Sequence, residues 1–366
     1  MSLITFCGAV DIGGTKIASA LFTRDGAVSA MAKTAIDPSG GDAAAAQVRA
    51  SIARLEEAAR ASGGQLAAVG LCVPGIAYSA TGKVWAPNIP GWDQYPLLEK
   101  ISSSASRIPP PATGIFEATP IASREGIRGN GDELAPNGFL LPGIGPLILE
   151  SDRSAYVAGE AWKGAAAGAS DAVFLAVGTG IGAGIIAGGR ILHGHEDIAG
   201  AVGWFGLDPD FKPEYAAMGS FEAEASGNSL ARKARALLAQ GRPSVLIELA
   251  GGAIESVTAE TVAAAARRND PLALEVVAGA VTYLGMGLAN IVSLLNPEVV
   301  VLGGGLFQAA DLFLEPVRRE FRRWAQPLAA RSVRIEVSAL GESAGLYGCG
   351  RLAWQEVDRN VATSVG

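Results

Sequence analysis

The sequence predicts an α/β protein of two domains with mixed sheets, and three observations carry that prediction. The chain has 366 residues, more than one hydrophobic core comfortably organises. Near the start of each half the same local grammar recurs: an apolar β-like run, a glycine turn, and a second β-like run. It reads GAVDIGGTKIASALFTRDG from Gly8, and VFLAVGTGIGAG followed by IIAGGRIL from Val173. Around these units, alanine-rich stretches with apolar residues at helical spacing alternate with further buried-strand patterns, the order of a mixed α/β sheet.

Taken in order, residues 4–36 read as three strands joined by turns, with Asp11 closing the first and Asp25-Gly26 the second. Residues 41–62 form an amphipathic helix ended by Gly63-Gly64. LAAVGLCVPG is a buried strand running into the Pro74-Gly75 turn, and KVWAPNIPGW a short strand with a proline-punctuated loop. From 102 to 146 no period is sustained; Ser, Pro and Gly dominate, and an irregular insertion is expected there. PLILESD resumes a buried strand ending in Asp152, with SAYVAGEAWKGAAAG as the next helix, which sets the domains at 1–151 and 152–366. After the second hairpin, 207–221 is irregular. GNSLARKARALLAQG and the long stretch from Ser256 to Leu295 are helical, with a capping pattern from Thr258 to Glu260. NPEVVVLGGGL is a strand and glycine turn, RREFRRWAQPL an amphipathic helix and VRIEVSAL a last strand. GLYGCGRLAWQEVDRN is expected to be a helix that packs back on the first domain.

Composition removes several classes. Hydrophobic content of 49% with 18% charged residues is globular rather than disordered. The balance 29 − 36 = −7 is acidic, which argues against a nucleic-acid surface. No uninterrupted apolar run reaches membrane-span length and the N-terminus lacks a basic signal region, so no membrane partner and a cytoplasmic location are expected. Cys7, Cys72 and Cys349 are scattered and odd in number, which disfavours a disulfide framework, and no CxxC is present to hold zinc.

The chemistry gathers at the glycine turns. Asp11-Ile12-Gly13-Gly14-Thr15-Lys16 puts a carboxylate, N–H donors, a hydroxyl and a cation at a strand end, the parts a phosphate and its Mg²⁺ need, although an ordinary hairpin turn reads the same. Gly178-Thr179-Gly180 and Gly303-Gly304-Gly305 follow buried strands in the same way, which suits triphosphate and adenine contacts in a cleft between two domains. Gly178, Gly180 and Ala183 also fit the dinucleotide fingerprint, but that requires a helix after the glycines, and IIAGGRIL is β-like. Asp152 is the candidate general base; by itself the position reads equally as a helix N-cap, the commoner use of Asp there.

As an ordered set these motifs resemble the ROK family (repressors, open reading frames, sugar kinases) of the actin/hexokinase-like ATPases. DIGGTK at 11–16 is similar to its first phosphate motif, GTGIGAG at 178–184 to the second, and LGGG at 302–305 to its adenosine motif. VPG at 73–75 with PNIPGW at 87–92 resembles the segment before the substrate site, and ESDRSAYVAGE at 150–160 the motif with the catalytic aspartate. The resemblance covers nearly all the chain outside 102–146. It implies two ribonuclease-H-like domains closing over a sugar and MgATP, often in a homodimer. Asp152 would be the base and Asp11 would hold Mg²⁺ through water. ATP would meet Gly13, Gly14, Thr15, Lys16, Gly178, Thr179, Gly180, Gly303, Gly304 and Gly305. The sugar would meet Gly75, Asn88, Ser151, Asp152, Trp204 and Glu222.

The departures from the family pattern are specific. Ser151 stands for its Asn, Ala201 for a sugar-binding Glu, and Trp204 for a His that serves sugar or zinc; the cysteine-rich zinc loop is absent, so no zinc site is expected. Glu222 matches the second sugar-contacting Glu. Each lost partner of a buried hydroxyl typically costs about 1–3 kcal/mol, so tight glucose binding of the usual kind is not expected. Trp204 is expected to fill the space left by Ala201 rather than to stack on a sugar. His193, His195, Glu196 and Asp197 read as a solvated turn, and Trp85 and Trp92 as core, with Asn88 between them near the substrate. The expected activity is ATP-dependent phosphorylation of a hexose or amino-sugar hydroxyl. The alternative is a non-catalytic sugar- or nucleotide-binding relative. A repressor of the same family would need a DNA-binding region before the first motif, where ten residues precede Asp11, and is not expected.

Overall fold

The computed structural model describes residues 4–102 and 139–365. Alternating apolar residues and two tight turns make a meander of β1 (Ile4–Ile12), β2 (Lys16–Phe22) and β3 (Val28–Ala35). Helix α1 (Gly41–Ala61) then crosses over, and β4 (Gly64–Val73) returns parallel to β1. A small hairpin of β5 (Ile76–Tyr78) and β6 (Lys83–Trp85) precedes α2 (Leu97–Ile101). The short β7 (Phe139–Leu141) pairs antiparallel with β8 (Gly145–Ser151), which adds parallel to β4. Most of the insertion expected over 102–146 lies outside the described residues, but its end is not irregular: 139–146 form β7 and the start of β8.

Helix α3 (Asp152–Lys163) leads to a second meander of β9 (Ala172–Val177), β10 (Ile181–Ala187) and β11 (Arg190–Ile191). A helical layer follows: α4 (Tyr215–Met218), α5 (Ser220–Ala225), α6 (Gly227–Ala239), α7 (Leu246–Leu249), α8 (Ala259–Arg267) and α9 (Pro271–Leu295). The chain ends through β12 (Val299–Gly303), α10 (Ala310–Trp324), α11 (Ala329–Ser332), β13 (Arg334–Val337) and α12 (Ala344–Val365). The sheet orders are β3-β2-β1-β4-β8-β7 and β11-β10-β9-β12-β13. Apart from the added β7, both run third-second-first-fourth-fifth, the duplication that the two hairpins announced.

Three local expectations change. The stretch 207–221, read as irregular, contains α4 and begins α5. Thr258 caps α8 as expected, but its reciprocal partner is Thr261, not Glu260. Helix α9 is long and apolar enough, by length and composition, to cross a bilayer, although 61% of its most apolar window is buried inside the fold. Its apolar faces pack into the second core, against Phe221, Phe313 and Phe321 among others.

The two sheets exchange their last helices. Helix α3 follows the first sheet yet packs on β9 and β10, while α12 follows the second sheet and packs on β1, β4 and β8. The two helices cross at backbone contact. A Cβ on Gly159 would lie 2.3 Å from the Ala344 carbonyl oxygen, and one on Gly348 1.8 Å from that of Ala155. Gly184 serves α3 on its other side, where a Cβ would meet the Arg153 carbonyl at 1.9 Å. Gly348→Ala is therefore expected to destabilise the protein by about 1–3 kcal/mol through overpacking. Gly279→Ala in α9, where nothing lies within 4 Å of the new methyl, should stabilise it by about 0.5–1 kcal/mol through helix propensity. Chemical denaturation of the two variants measures both signs.

Candidate active site

Two carboxylates meet where the crossing helices begin. Asp11 is the penultimate residue of β1 and lies opposite Cys72 of β4 in the parallel register. Its Oδ1 accepts from the Cys72 Sγ at 3.3 Å. Its Oδ2 faces Gly345 in the first turn of α12, close enough that a Cβ there would sit at 2.6 Å. Burial pushes the Asp11 carboxyl above its ordinary value, opposed by the Cys72 thiol and the Lys16 and Lys33 ammonium groups. Asp152 opens α3. Burial pushes its pKa up to about 6, with the Arg153 guanidinium opposing and the negative charge of Asp11 adding to the rise. The Tyr156 hydroxyl, one turn along α3, also favours the charged form of Asp152. Asp152 is not the helix N-cap. Ser151 is, its Oγ accepting from the Ser154 N–H at 3.2 Å, so Ser151 serves the helix rather than standing open to an acceptor.

The glycine turns divide into those that are glycine for packing and those that leave open space. Gly13 donates its N–H to the Lys16 carbonyl at 2.8 Å, and Gly178 donates to the Gly180 carbonyl at 2.9 Å, so both donors close their own turns. Gly180 is required by the Glu222 carboxylate, Gly303 by the Phe174 ring and Gly304, at φ 88°, by Val177. Gly178 and Gly305 come together: a Cβ on Gly178 would meet only the Gly305 nitrogen, at 3.9 Å, and one on Gly305 nothing. The N-terminus of α6 joins them, with Gly227 N–H donating to the Gly178 carbonyl at 2.8 Å. The second and third glycine turns thus share one open corner. Strand β10 follows Gly180 at once, so no helix completes a dinucleotide fingerprint. At the first turn Gly14 lies against Asn88, 3.0 Å from its Cβ when a methyl is built, which sets Asn88, expected near the substrate, beside the Gly13–Lys16 turn. Thr15 and Thr179 are exposed at the tips of their turns. The Lys16 ammonium lies on Glu342 at 2.8 Å, a carboxylate shared with Lys33. Gly75 is fixed by the β5–β6 hairpin, where a Cβ would meet the Trp85 carbonyl at 2.1 Å.

On the opposite wall, Glu222 is partly buried and its Oε2 accepts from the Ile181 N–H at 2.7 Å, tying α5 to the glycine turn. Burial raises its carboxyl above the ordinary value, with that backbone bond opposing. Trp204 does not fill the space beside Ala201: its side chain is 59% exposed. Its backbone is pinned instead, because Gly219 lies within 2.4 Å of its Cα when a methyl is built, and Gly203 within 2.7 Å of the Ile181 carbonyl. Trp85 is also exposed, at 39%, whereas Trp92 is core and donates from its indole to the Gly41 carbonyl at 3.1 Å.

The segment at the place of the family's cysteine loop is held by charge. Buried Glu224 accepts from Lys212 at 2.7 Å and from Lys233 and the Tyr215 hydroxyl. Asp208 accepts from Tyr215 at 2.9 Å and Tyr283 at 3.1 Å, with Lys212 at 3.1 Å. Burial opposes the charge on Glu224, but Lys212, Lys233 and Tyr215 hold its carboxyl below the ordinary range.

Several site residues carry no sequence signal. Cys72, read only as part of a buried strand, bonds to Asp11, and Tyr156, read only as part of a helix, favours the charged form of Asp152. Glu160, fully buried, accepts from Ala165 N–H at 2.6 Å, Ser338 Oγ at 2.5 Å and Leu340 N–H at 3.0 Å. It thereby sets the turn that launches α12. His193 is not a free surface histidine; its Nε2 bonds to Glu150 of β8 at 2.8 Å, which holds the imidazole above its ordinary pKa. Asp197 is not merely solvated, since it accepts from the Ser79 N–H at 2.9 Å and Oγ at 3.1 Å. His195 and Glu196 are exposed, as expected. The one available signal was adjacency: Glu150 stands two residues before Asp152.

Comparison with known proteins places this geometry. A glucokinase of Halalkalibacterium halodurans is 30% identical over 351 residues, covering 95% of this chain and 94% of that protein. The crystal structure of a ROK family glucokinase from Streptomyces griseus in complex with glucose and AMPPNP superposes with a TM-score of 0.70 at 29% identity, over 96% of this chain and 99% of that one. A ROK family transcriptional regulator, a homologue of the Escherichia coli Mlc protein, shares the fold with a TM-score of 0.74 at 21% identity, over 97% of this chain and 78% of its own. The α/β architecture of two mixed sheets is thus the actin/hexokinase-like fold of these kinases. The ROK family model matches residues 7–108 and 145–356, which take in every glycine turn of the site and both sheets apart from β7 and the first residues of β1, and the chain belongs to the ROK family.

Proposed function

We propose that the protein is an ATP-dependent sugar kinase that phosphorylates a hydroxyl of a hexose or amino-sugar derivative. The observation that carries this reading is the placement of half-buried Asp11 and Asp152 close enough for one to feel the charge of the other, with Asp152 at a pKa of about 6. A carboxylate so placed is ionised at neutral pH yet basic enough to take a proton from an attacking hydroxyl. The similarity to glucokinases supports the same reaction class.

In this reading Asp152 receives the hydroxyl proton as the acceptor oxygen bonds to the terminal phosphorus and the bridging oxygen leaves with the nucleoside diphosphate. The open corner at Gly178 and Gly305 receives the nucleotide, and the turn Gly13–Lys16 receives the phosphates, with Lys16 moving from Glu342. Asp11 is the residue that would hold Mg²⁺, through water, beside the Gly13–Lys16 turn, since Mg²⁺ typically takes one or two carboxylates and keeps its waters. Bound there, Mg²⁺ would neutralise charge on the phosphates. Arg153, Tyr156 and the crossing of α3 with α12 hold Asp152 in place, so the rate comes from positioning and one base. The acceptor sits between Asp152, Asn88 and the wall of Trp204 and Glu222, where the exposed indole offers an apolar face to a sugar ring.

A second reading, a sugar- or nucleotide-binding protein without turnover, is favoured by Ala201 and Trp204 replacing two polar groups of the family pattern. ADP release across a panel of hexoses, N-acetylhexosamines and pentoses separates the two; MgATP binding with no sugar-dependent release would establish the second. For the kinase, Asp152→Asn is expected to lower kcat by about 10²–10⁴-fold while MgATP affinity measured by calorimetry stays unchanged. The pH profile of kcat/KM should fall about tenfold per unit below pH 6, because Asp152 is protonated there and ionised above it. Trp204→Ala should raise the acceptor KM about 3- to 10-fold with kcat held, the loss of an aromatic-face contact made equally in ground and transition states.

A further inference from the structure

The loop from Leu192 to Ala201 joins β11 to the Trp204 wall, and the second sheet holds both its ends. Leu192 N–H donates to the Ile185 carbonyl at 2.9 Å, and Ala183 N–H to the Gly200 carbonyl at 2.8 Å, both partners lying on β10. The loop is closed on itself by Ala199 N–H donating to the His193 carbonyl at 2.9 Å. Gly194, at φ 77°, sits against Ala199 at that closure, and Asp197, at φ 58°, turns the tip. Asp is among the few non-glycine residues that tolerate this conformation. The loop therefore has a set shape before it touches anything else.

From this frame two side chains reach the other half of the molecule. His193, at the base, bonds to Glu150 on β8, and Asp197, at the tip, takes both the N–H and the hydroxyl of Ser79 just after β5. Glu150 is two residues from Asp152, and β5 starts immediately after Gly75. Base and tip thus grip the two segments of the first half that carry expected acceptor contacts, and the loop's exit leads straight to Trp204. The His193–Glu150 pair is half-buried, with side-chain exposures of 33% for His193 and 13% for Glu150, whereas the Asp197–Ser79 pair at the tip is exposed.

We propose that His193 and Asp197 are positioning residues, a two-point clasp that draws the Trp204 wall against Asp152 and so sets the affinity for the acceptor. The clasp rests on the kinase reading for its consequence in catalysis, but its geometry stands apart from it. Neither residue reaches the glycine corner at Gly178 and Gly305, so nucleotide binding should not sense its loss.

The test uses the full-length protein with D-glucose as acceptor, or the hexose giving the highest kcat/KM in the panel. Asp197→Ala and His193→Ala should each raise the acceptor KM about tenfold, the usual scale for a hydrogen bond to a charged group. The kcat and the AMPPNP affinity, measured by calorimetry without sugar, should stay near wild type. Asp197→Asn and His193→Gln, which keep an acceptor and a donor at the same points, should restore KM. Hydrogen exchange supplies the readout that needs no turnover: the Ser79 amide should lose protection in Asp197→Ala and keep it in Asp197→Asn. An unchanged acceptor KM in both alanine variants overturns the clasp, as does a parallel change in KM, kcat and nucleotide affinity. If no sugar supports turnover by the wild-type protein, the kinase reading fails. The clasp is then decided by exchange alone, and equal Ser79 exchange rates in wild type and Asp197→Ala refute it.

Discussion

Helices α3 and α12 cross with their backbones touching, and the site is built at the ends of that crossing. Gly159 and Gly348 remove the side chains that would hold the helices apart. Gly345 then lets the first turn of α12 come up to the Asp11 carboxylate. The same crossing carries Asp152, at the start of α3, to the end of β1. Each helix leaves one sheet and packs on the other, so the two carboxylates lie where the halves of the fold are joined. Glu160 reinforces this from beneath, gathering the 338–340 turn before α12 onto the far end of α3.

Two acidic groups in one poorly solvated place repel each other, and the arrangement of donors decides how each responds. Asp11 has the Cys72 thiol, the α12 first turn and the field of Lys16 and Lys33. Asp152 has Arg153 and Tyr156, but feels Asp11 as well, and its pKa settles near 6. Burial pushes both upward, and the groups that oppose it differ: a thiol and two ammonium groups for Asp11, a guanidinium and a hydroxyl for Asp152. The opposite wall uses charge in another way. The Asp208–Lys212–Glu224–Lys233 cluster, with its tyrosines, is paired throughout, so it orders the approach to Trp204 and Glu222 without offering a free acid or base.

Much of the fold was legible because it is written in local period and punctuation. The three opening strands, α1, β4, the second hairpin, β12 with its glycine turn and the final helix all follow from alternation, helical spacing and glycine. β7 was missed, although β8 was read, because Pro and Gly inside a polar stretch hide three apolar residues, Phe139–Leu141, that gain strand character only when β8 lies beside them. Site legibility was uneven in the same way. Asp11, Gly14, Asn88, Gly178, Gly305 and Glu222 could be named from motif spacing; the structure sets Gly14 against Asn88 and Gly178 against Gly305. Trp204, His193 and Asp197 were read differently from where the structure puts them, since exposure and partner depend on which distant residue arrives.

By itself the sequence determined the strand and helix order, the duplication of the strand–glycine–strand unit, and the short list of groups able to do phosphate chemistry. These depend on backbone propensity and on contacts a few residues apart, which neighbouring letters encode. The tertiary structure alone decided that Asp152 is displaced from the cap by Ser151 and raised in pKa beside Asp11. It also decided which glycines are packing necessities and which leave room for a ligand, and that His193 and Asp197 join the two halves. Each of these is a matter of desolvation or of contact between residues tens to hundreds of positions apart, and no local pattern carries the field or the steric limit that such a partner imposes.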